Sequence, residues 1–262
     1  ILLQRISPLL EGLKGIGVSA FPRRRADSYM PAFLVGKGMG ESLSSSLHIP
    51  LYMFSHQENH GMAALRLMPS LWGKPFYMMH MSGGTQDVLS CQWKGECMEI
   101  SELLTSKDIT AGQMIDRVGV ALGLPFPCGK WLEALAKKGN GSYKIPRSSV
   151  KGAFSFSGPE TKVERDINSS QYRPEDIAQG VFIHIGRALE KELSAYPFIP
   201  GRPFIAVGGV MANTYLRQKV TSICENIGLI PYFADPQYSS DNATGNAFGA
   251  YMKSITCHRS FS

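Results

Sequence analysis

Apolar and polar positions along the chain switch repeatedly between a helical and a strand period. Leu2, Leu3, Ile6, Leu9, Leu10 and Leu13 recur at helical spacing, with Pro8 discordant and Gly15 closing the run. Ile16 to Ala20 reads as a short buried strand, Phe33 to Leu47 as a helix carrying Gly36, Gly38 and Gly40, and Ile49 to Phe54 as the next strand. Ser55 can cap a helix that continues through Ala63, Ala64 and Leu67. After Trp72-Gly73-Lys74-Pro75 the pattern becomes strand, turn, strand: Phe76 to Met81, Ser82-Gly83-Gly84-Thr85, Asp87 to Trp93, then Cys97 to Ile100. Helices are predicted over Ala111 to Leu122, Trp131 to Lys138 and Pro174 to Tyr196, the last with a stripe of Ile177, Val181, Phe182, Ile185, Leu189 and Leu193. Lys151 to Thr161 alternates aromatic and small polar residues before a turn. Phe204 to Val207 is an apolar strand ended by Gly208-Gly209-Val210; Asn213 begins a helix to Asn226. Leu229 to Phe233 is a last strand, and Ser239-Ser240-Asp241-Asn242 caps a final helix from Ala243 to Ser254.

Strands alternating with helices, with a hairpin series restarting midway, predict an α/β protein of two lobes with ligands between them. Residues 1–72 plus 243–262 are expected to form the first lobe and residues 73–242 the second. No apolar run is long enough to cross a membrane and no signal-peptide pattern is visible. Five cysteines without any C-x-x-C pair argue for reduced thiols and a cytoplasmic location. The net charge of +6 suits an anionic partner such as RNA or a nucleotide.

The chemistry concentrates in Ser55-His56-Gln57-Glu58-Asn59-His60. His56 and His60, four apart on a helix, share one face and could share one metal ion, although such a pair is also common as surface or core residues. Glu58 falls on the other side, unlike the H-E-x-x-H peptidase helix whose Glu acts as general base. The Gly-rich turn at residues 82–85 can aim backbone N–H groups at a phosphate, and a plain hairpin turn has the same composition.

Six stretches together resemble the threonylcarbamoyltransferase family, known earlier as O-sialoglycoprotein endopeptidase or glycoprotease. They are Ser-His-Gln-Glu-Asn-His (55–60), Ser-Gly-Gly-Thr (82–85), Ala-Gly-Gln-Met-Ile-Asp-Arg (111–117), Phe-Ser-Phe-Ser-Gly (154–158), Val-Gly-Gly-Val-Met-Ala-Asn-Thr-Tyr-Leu-Arg (207–217) and Ser-Asp-Asn-Ala (240–243). The resemblance implies a two-lobed actin-like, sugar-kinase-like ATPase fold. It implies transfer of a threonylcarbamoyl group from its adenylate to the exocyclic amine of a tRNA adenosine. Its metal ligands would be His56, His60 and Asp241, holding one divalent ion, zinc or iron first and magnesium as the further option. ATP or an adenylate would lie against Ser82, Gly83, Gly84 and Gly209 at its phosphates and against Asp116, Gly129 and Asn213 at its ribose and base. Partners would be the nucleotide, tRNA, and a paralogue or other subunits of a tRNA-modifying assembly.

This chain departs from the family pattern at Thr85, which follows Gly84 without the usual extra His or Asn. It also has Gln113 where Glu is usual and a basic loop from Phe21 to Tyr29. It opens at Ile1, past the family's first phosphate loop. These departures suggest a divergent branch, so a nucleotide-responsive partner protein without transfer is the alternative, and a metallopeptidase a lesser one.

Overall fold

The computed structural model describes residues 12–24, 28–66, 68–94, 97–146, 150–234 and 243–259. The helix expected from Leu2 lies almost wholly outside them, as do the expected cap residues 239–242.

The chain divides into two units, one comprising Ile1–Trp72, Lys94–Met98 and Asp241–Ser262, the other Gly73–Trp93 and Glu99–Ser240. In the first unit, β1 (Ile16–Phe21) and β2 (Leu51–Ser55) pair in parallel, joined by α1 (Ala32–Leu47). Of the three glycines on α1, Gly40 faces Val18 and Leu51 closely, while Gly36 and Gly38 meet nothing. Helix α2 (His56–Leu65) follows β2 without a loop, and all its residues after His56 are buried.

The second unit holds, among the described residues, a five-stranded sheet in the order β5-β4-β3-β6-β7. Its strands are β3 (Phe76–Met81), β4 (Gln86–Lys94), β5 (Cys97–Thr105), β6 (Pro203–Val207) and β7 (Ile230–Phe233). β3 runs antiparallel to β4, with Met81 opposite Gln86, and parallel to β6, with Tyr77 opposite Phe204. Its helices are α3 (Ala111–Ala121), α4 (Gly129–Ala136), α5 (Ser157–Ser169), α6 (Pro174–Ala195) and α7 (Thr214–Asn226). The apolar stripe of α6 is buried in one core with Met79, Met81, Phe204 and Leu216. Each such side chain contributes about 1.5–3 kcal/mol. The final helix, α8 (Thr244–Arg259), belongs to the first unit.

Two expectations change. β5 runs five residues beyond Ile100, to Thr105. The stretch expected to end in a turn near Thr161 instead enters α5 at Ser157. Asp108 accounts for that entry: its carboxylate accepts from Phe156 N at 2.8 Å, Ser155 Oγ at 2.7 Å and Ser157 Oγ at 2.6 Å. Desolvation opposes ionisation of Asp108, but hydrogen bonds from Ser157, Phe156 and Ser155 hold its carboxyl below the usual range. Among the described residues, no helix is long and apolar enough to cross a membrane.

Candidate functional site

At the β2–α2 junction, Ser55 is extended and its Oγ accepts from Glu58 N at 3.1 Å, while Glu58 Oε2 accepts from Ser55 N at 2.6 Å. This reciprocal cap fixes the first helical turn, and so sets the directions of His56 and His60. Their Nε2 atoms lie 3.1 Å apart, with ring centroids at 4.5 Å. Two metal–nitrogen bonds of about 2.1 Å meeting near the tetrahedral angle span about 3.4 Å, so a small widening of the pair would fit one ion. The same approach serves as a hydrogen bond between neutral rings. Asp241, the expected third ligand, lies outside the described residues. Among the described residues no three His, Cys, Asp or Glu side chains gather as a metal site.

Glu58 is 0% exposed and fully committed. Arg24 Nε reaches both its oxygens at 3.2 Å, Arg24 Nη2 reaches Oε2 at 3.0 Å, and Met98 N donates to Oε1 at 3.4 Å. Both carboxylate oxygens are thus turned on the frame around the helix start.

The second unit contains a cavity of about 500 Å³ lined by Gly83, Gly112, Asp116, Gly129, Gly209 and Asn213, with Lys130, Glu133 and Phe182 among its other walls. Its floor is built from turns. Ser82 N donates to Thr85 O at 2.8 Å, and Ser82 Oγ accepts from Thr85 N at 3.0 Å and Gly84 N at 3.3 Å. Two amides of the Gly-rich turn are therefore already turned on its own serine. Thr110 Oγ1 anchors the turn through the carbonyls of Ser82 and Gly83, and Thr110 also caps α3. Gln113 completes that cap, its Oε1 accepting from Thr110 N at 3.0 Å, so the amide does the work a Glu would do there.

Asp116, on α3, accepts from Cys128 N through Oδ1 at 2.8 Å, which ties α3 to the loop before α4. Burial first, then the Asp116 carboxylate, push the Cys128 thiol up, leaving it protonated at neutral pH. Next to Gly209, Gly208 takes φ +98° against the Met81 carbonyl, a space and a conformation that admit no side chain. Asn213 is 7% exposed and caps α7, its Oδ1 accepting from Leu216 N at 2.9 Å. That bond assigns the amide and leaves Nδ2 as an unpartnered buried donor. A carboxylate, a spare amide donor and bare backbone around one cavity suit a ligand carrying hydroxyls and a charged group.

Five expected residues, Gly83, Asp116, Gly129, Gly209 and Asn213, thus line one cavity, with Ser82 and Gly84 in the adjoining turn. Sequence reasoning missed Glu133. It lines the cavity on α4 and accepts from Thr214 N at 3.0 Å and Thr214 Oγ1 at 2.5 Å, bridging α4 to the start of α7. Its partner stands 81 positions away, so no local spacing announces it. Glu133, Phe182 and Asn213 also wall a second chamber of about 220 Å³.

Residues 29–248 match the family model described as tRNA N6-adenosine threonylcarbamoyltransferase. The chain belongs to that family. It is 32% identical to the tRNA N6-adenosine threonylcarbamoyltransferase of Carboxydothermus hydrogenoformans, over 97% of this chain and 78% of that protein. It is 30% identical to the enzyme of that name from Aromatoleum aromaticum, over 87% of this chain and 68% of that protein. This threonylcarbamoyltransferase family member is also similar in shape to solved structures at low identity. HypF of T. kodakarensis superposes with a TM-score of 0.59 at 14% identity, over 86% of this chain and 40% of that one. The activator of the 2-hydroxyisocaproyl-CoA dehydratase from Clostridium difficile, solved with bound ADPNP, gives 0.55 at 13%, over 86% and 84%. The fold is the two-lobed actin-like, sugar-kinase-like ATPase fold.

Proposed function

We propose that the chain binds a nucleotide in the Asp116–Asn213 cavity and transfers a threonylcarbamoyl group from its adenylate to the exocyclic amine of a tRNA adenosine. In that step the amine nitrogen forms a bond to the carbamoyl carbonyl carbon. The bond from that carbon to the phosphate oxygen breaks, AMP leaves with the electron pair, and the amine gives up a proton. The observation that supports the reading is the cavity itself, where Asp116 and Asn213 stand among walls of glycine. Asp116 would accept from ribose hydroxyls and Asn213 would donate to a ribose or base acceptor. Gly83, Gly129 and Gly209 would let backbone approach the ligand closely. A divalent ion held by His56, His60 and Asp241 would polarise the carbonyl under attack.

Calorimetry with ATP, ADP and AMP tests the nucleotide, and Asn213→Ser isolates its donor. Serine keeps the helix cap, so stability should stay within a few tenths of a kcal/mol while affinity falls about tenfold, the worth of one buried hydrogen bond. Absence of heat with any of the three nucleotides would sink the reading. Metal analysis of wild type beside His56→Ala tests the ion.

A second reading keeps the nucleotide and drops the transfer, the chain acting through another subunit. It is favoured by the exposed Leu34, Val35 and Met39 of α1, with Met30 ahead of them. Light scattering separates the two: a monomer with full transferase activity defeats the second.

A further inference from the structure

We infer that Phe126 and Trp131 form a stacking rim for unpaired bases of an RNA, at the mouth of the Asp116–Asn213 cavity. This rests on the transferase reading above and adds where the acceptor would be gripped. Phe126 is 72% exposed and Trp131 42% exposed, a large apolar surface to leave in water within one short segment. Between them in the chain, Pro127, Gly129 and Lys130 line the cavity, so the two rings flank residues of its wall. Both belong to ordered structure: Trp131 lies in the first turn of α4, and Phe126 sits two residues before Cys128, whose N–H is held by Asp116.

Lysines outnumber acids in the segment that carries the rings, with Asp116 across the loop as a further carboxylate. Lys130 Nζ lies 4.5 Å from the centre of the Trp131 ring. From Val120 to Lys138 the charged residues are Lys130, Lys137 and Lys138 against Glu133 alone. That one carboxylate is occupied by Thr214 and by Lys137 at 3.8 Å. Exposed rings with a lysine against one of them match a single-stranded nucleic acid, whose bases offer faces to stack on and whose phosphates attract lysine. A duplex hides those faces. Chemistry on the exocyclic amine of a base also requires that base to leave its stack, and flanking rings can replace the lost stacking for it or its neighbours.

The test is fluorescence anisotropy with a labelled RNA hairpin carrying unpaired adenosines in its loop, beside a blunt RNA duplex of the same composition. Wild type should bind the hairpin more tightly than the duplex and quench Trp131 emission on doing so. Phe126→Ala and Trp131→Ala should each weaken hairpin binding about tenfold or more, while Trp131→Phe stays within about twofold of wild type. Calorimetry with ATP should be unchanged in all three variants, which also shows that they fold. Equal binding of hairpin and duplex, or alanine variants that bind like wild type, would overturn the inference. ATP binding without hairpin binding overturns the rim and leaves the nucleotide reading standing. Ring-dependent hairpin binding without nucleotide binding keeps the rim and removes the transferase reading. Self-association abolished by Phe126→Ala, with no RNA bound, would assign the surface to a second copy of the chain and overturn the inference.

Discussion

In the first unit a methyl group added at Gly17, Gly245 or Gly249 would collide with the Asn246 carbonyl, the Asn59 carbonyl or the Met62 thioether respectively. In the second, a methyl at Gly84, Gly129 or Gly209 would meet nothing, and at Gly83 only the Asp116 carboxylate, 3.9 Å away. Glycine costs conformational entropy wherever it stands. The first set recovers that cost through close packing of protein on protein. The second recovers nothing within the chain, like the exposed Gly36 and Gly38 of α1, but Gly83, Gly129 and Gly209 differ from those in bordering one cavity. Polar groups divide the same way: Glu58 and Asn59 are consumed by the frame, whereas Asn213 keeps a donor in reserve.

The largest effect that would break this contrast is at Gly245. Gly245→Ala should cost at least about 4 kcal/mol, because the obstructing atom is backbone and cannot swing aside. Gly129→Ala should leave stability nearly unchanged and weaken nucleotide binding. Hydrogen exchange, read separately over the two units, gives both numbers, and a stable Gly245→Ala protein would dissolve the distinction.

Next comes Glu58→Ala, which strips the partner from Arg24 and from the amides of Ser55 and Met98. A loss of about 3 kcal/mol in urea unfolding is expected. Wild type should show no metal-dependent proteolysis, and proteolysis removed by His60→Ala would show that Glu58 or another base is available after all.

Helix α6 supplies the smallest test, and it lies in the second unit, where a buried group is structural instead. His184 is 4% exposed, and burial, then the nearby Arg187, lower its pKa from 6.5 to about 4. Between those values the unfolded chain takes up a proton that the folded chain refuses. Stability should therefore be level above about pH 6.5, fall by about 3 kcal/mol as pH drops toward 4, and level off below. Glu160, whose carboxyl is raised by burial and then by Glu164, works in the opposite sense. Melting curves of His184→Leu should lose the slope that wild type shows in this window.

How much could be read in advance follows from how local each cause is. The α6 stripe, the Ser55 cap and the Asn213 cap are written within a few residues, and each stands where the sequence put it. Helix α5 was missed because Ser-Gly-Pro opens it, Val163 is its one buried apolar residue, and its capping carboxylate comes from Asp108. β5 was read short because Ser101 and Glu102 break the alternation that a half-buried strand would show. The cavity's glycines were legible as turns, but Glu133 depends on Thr214 in a distant element.

Asn246 N donates to Asn59 Oδ1 at 2.9 Å across 187 positions, and Asn246 Nδ2 donates to Ser19 Oγ at 3.0 Å across 227. On the ribosome, where segments emerge in order, those partners are made far apart in time. Among the described residues, the sheet of the second unit has its strands by Phe233 and can close while synthesis continues. The strands and helices made first must wait, with Phe54 and Met62 uncovered, until α8 arrives to sit on Gly245 and Gly249. Maturation of the half that holds the histidines is thereby timed by the emergence of α8.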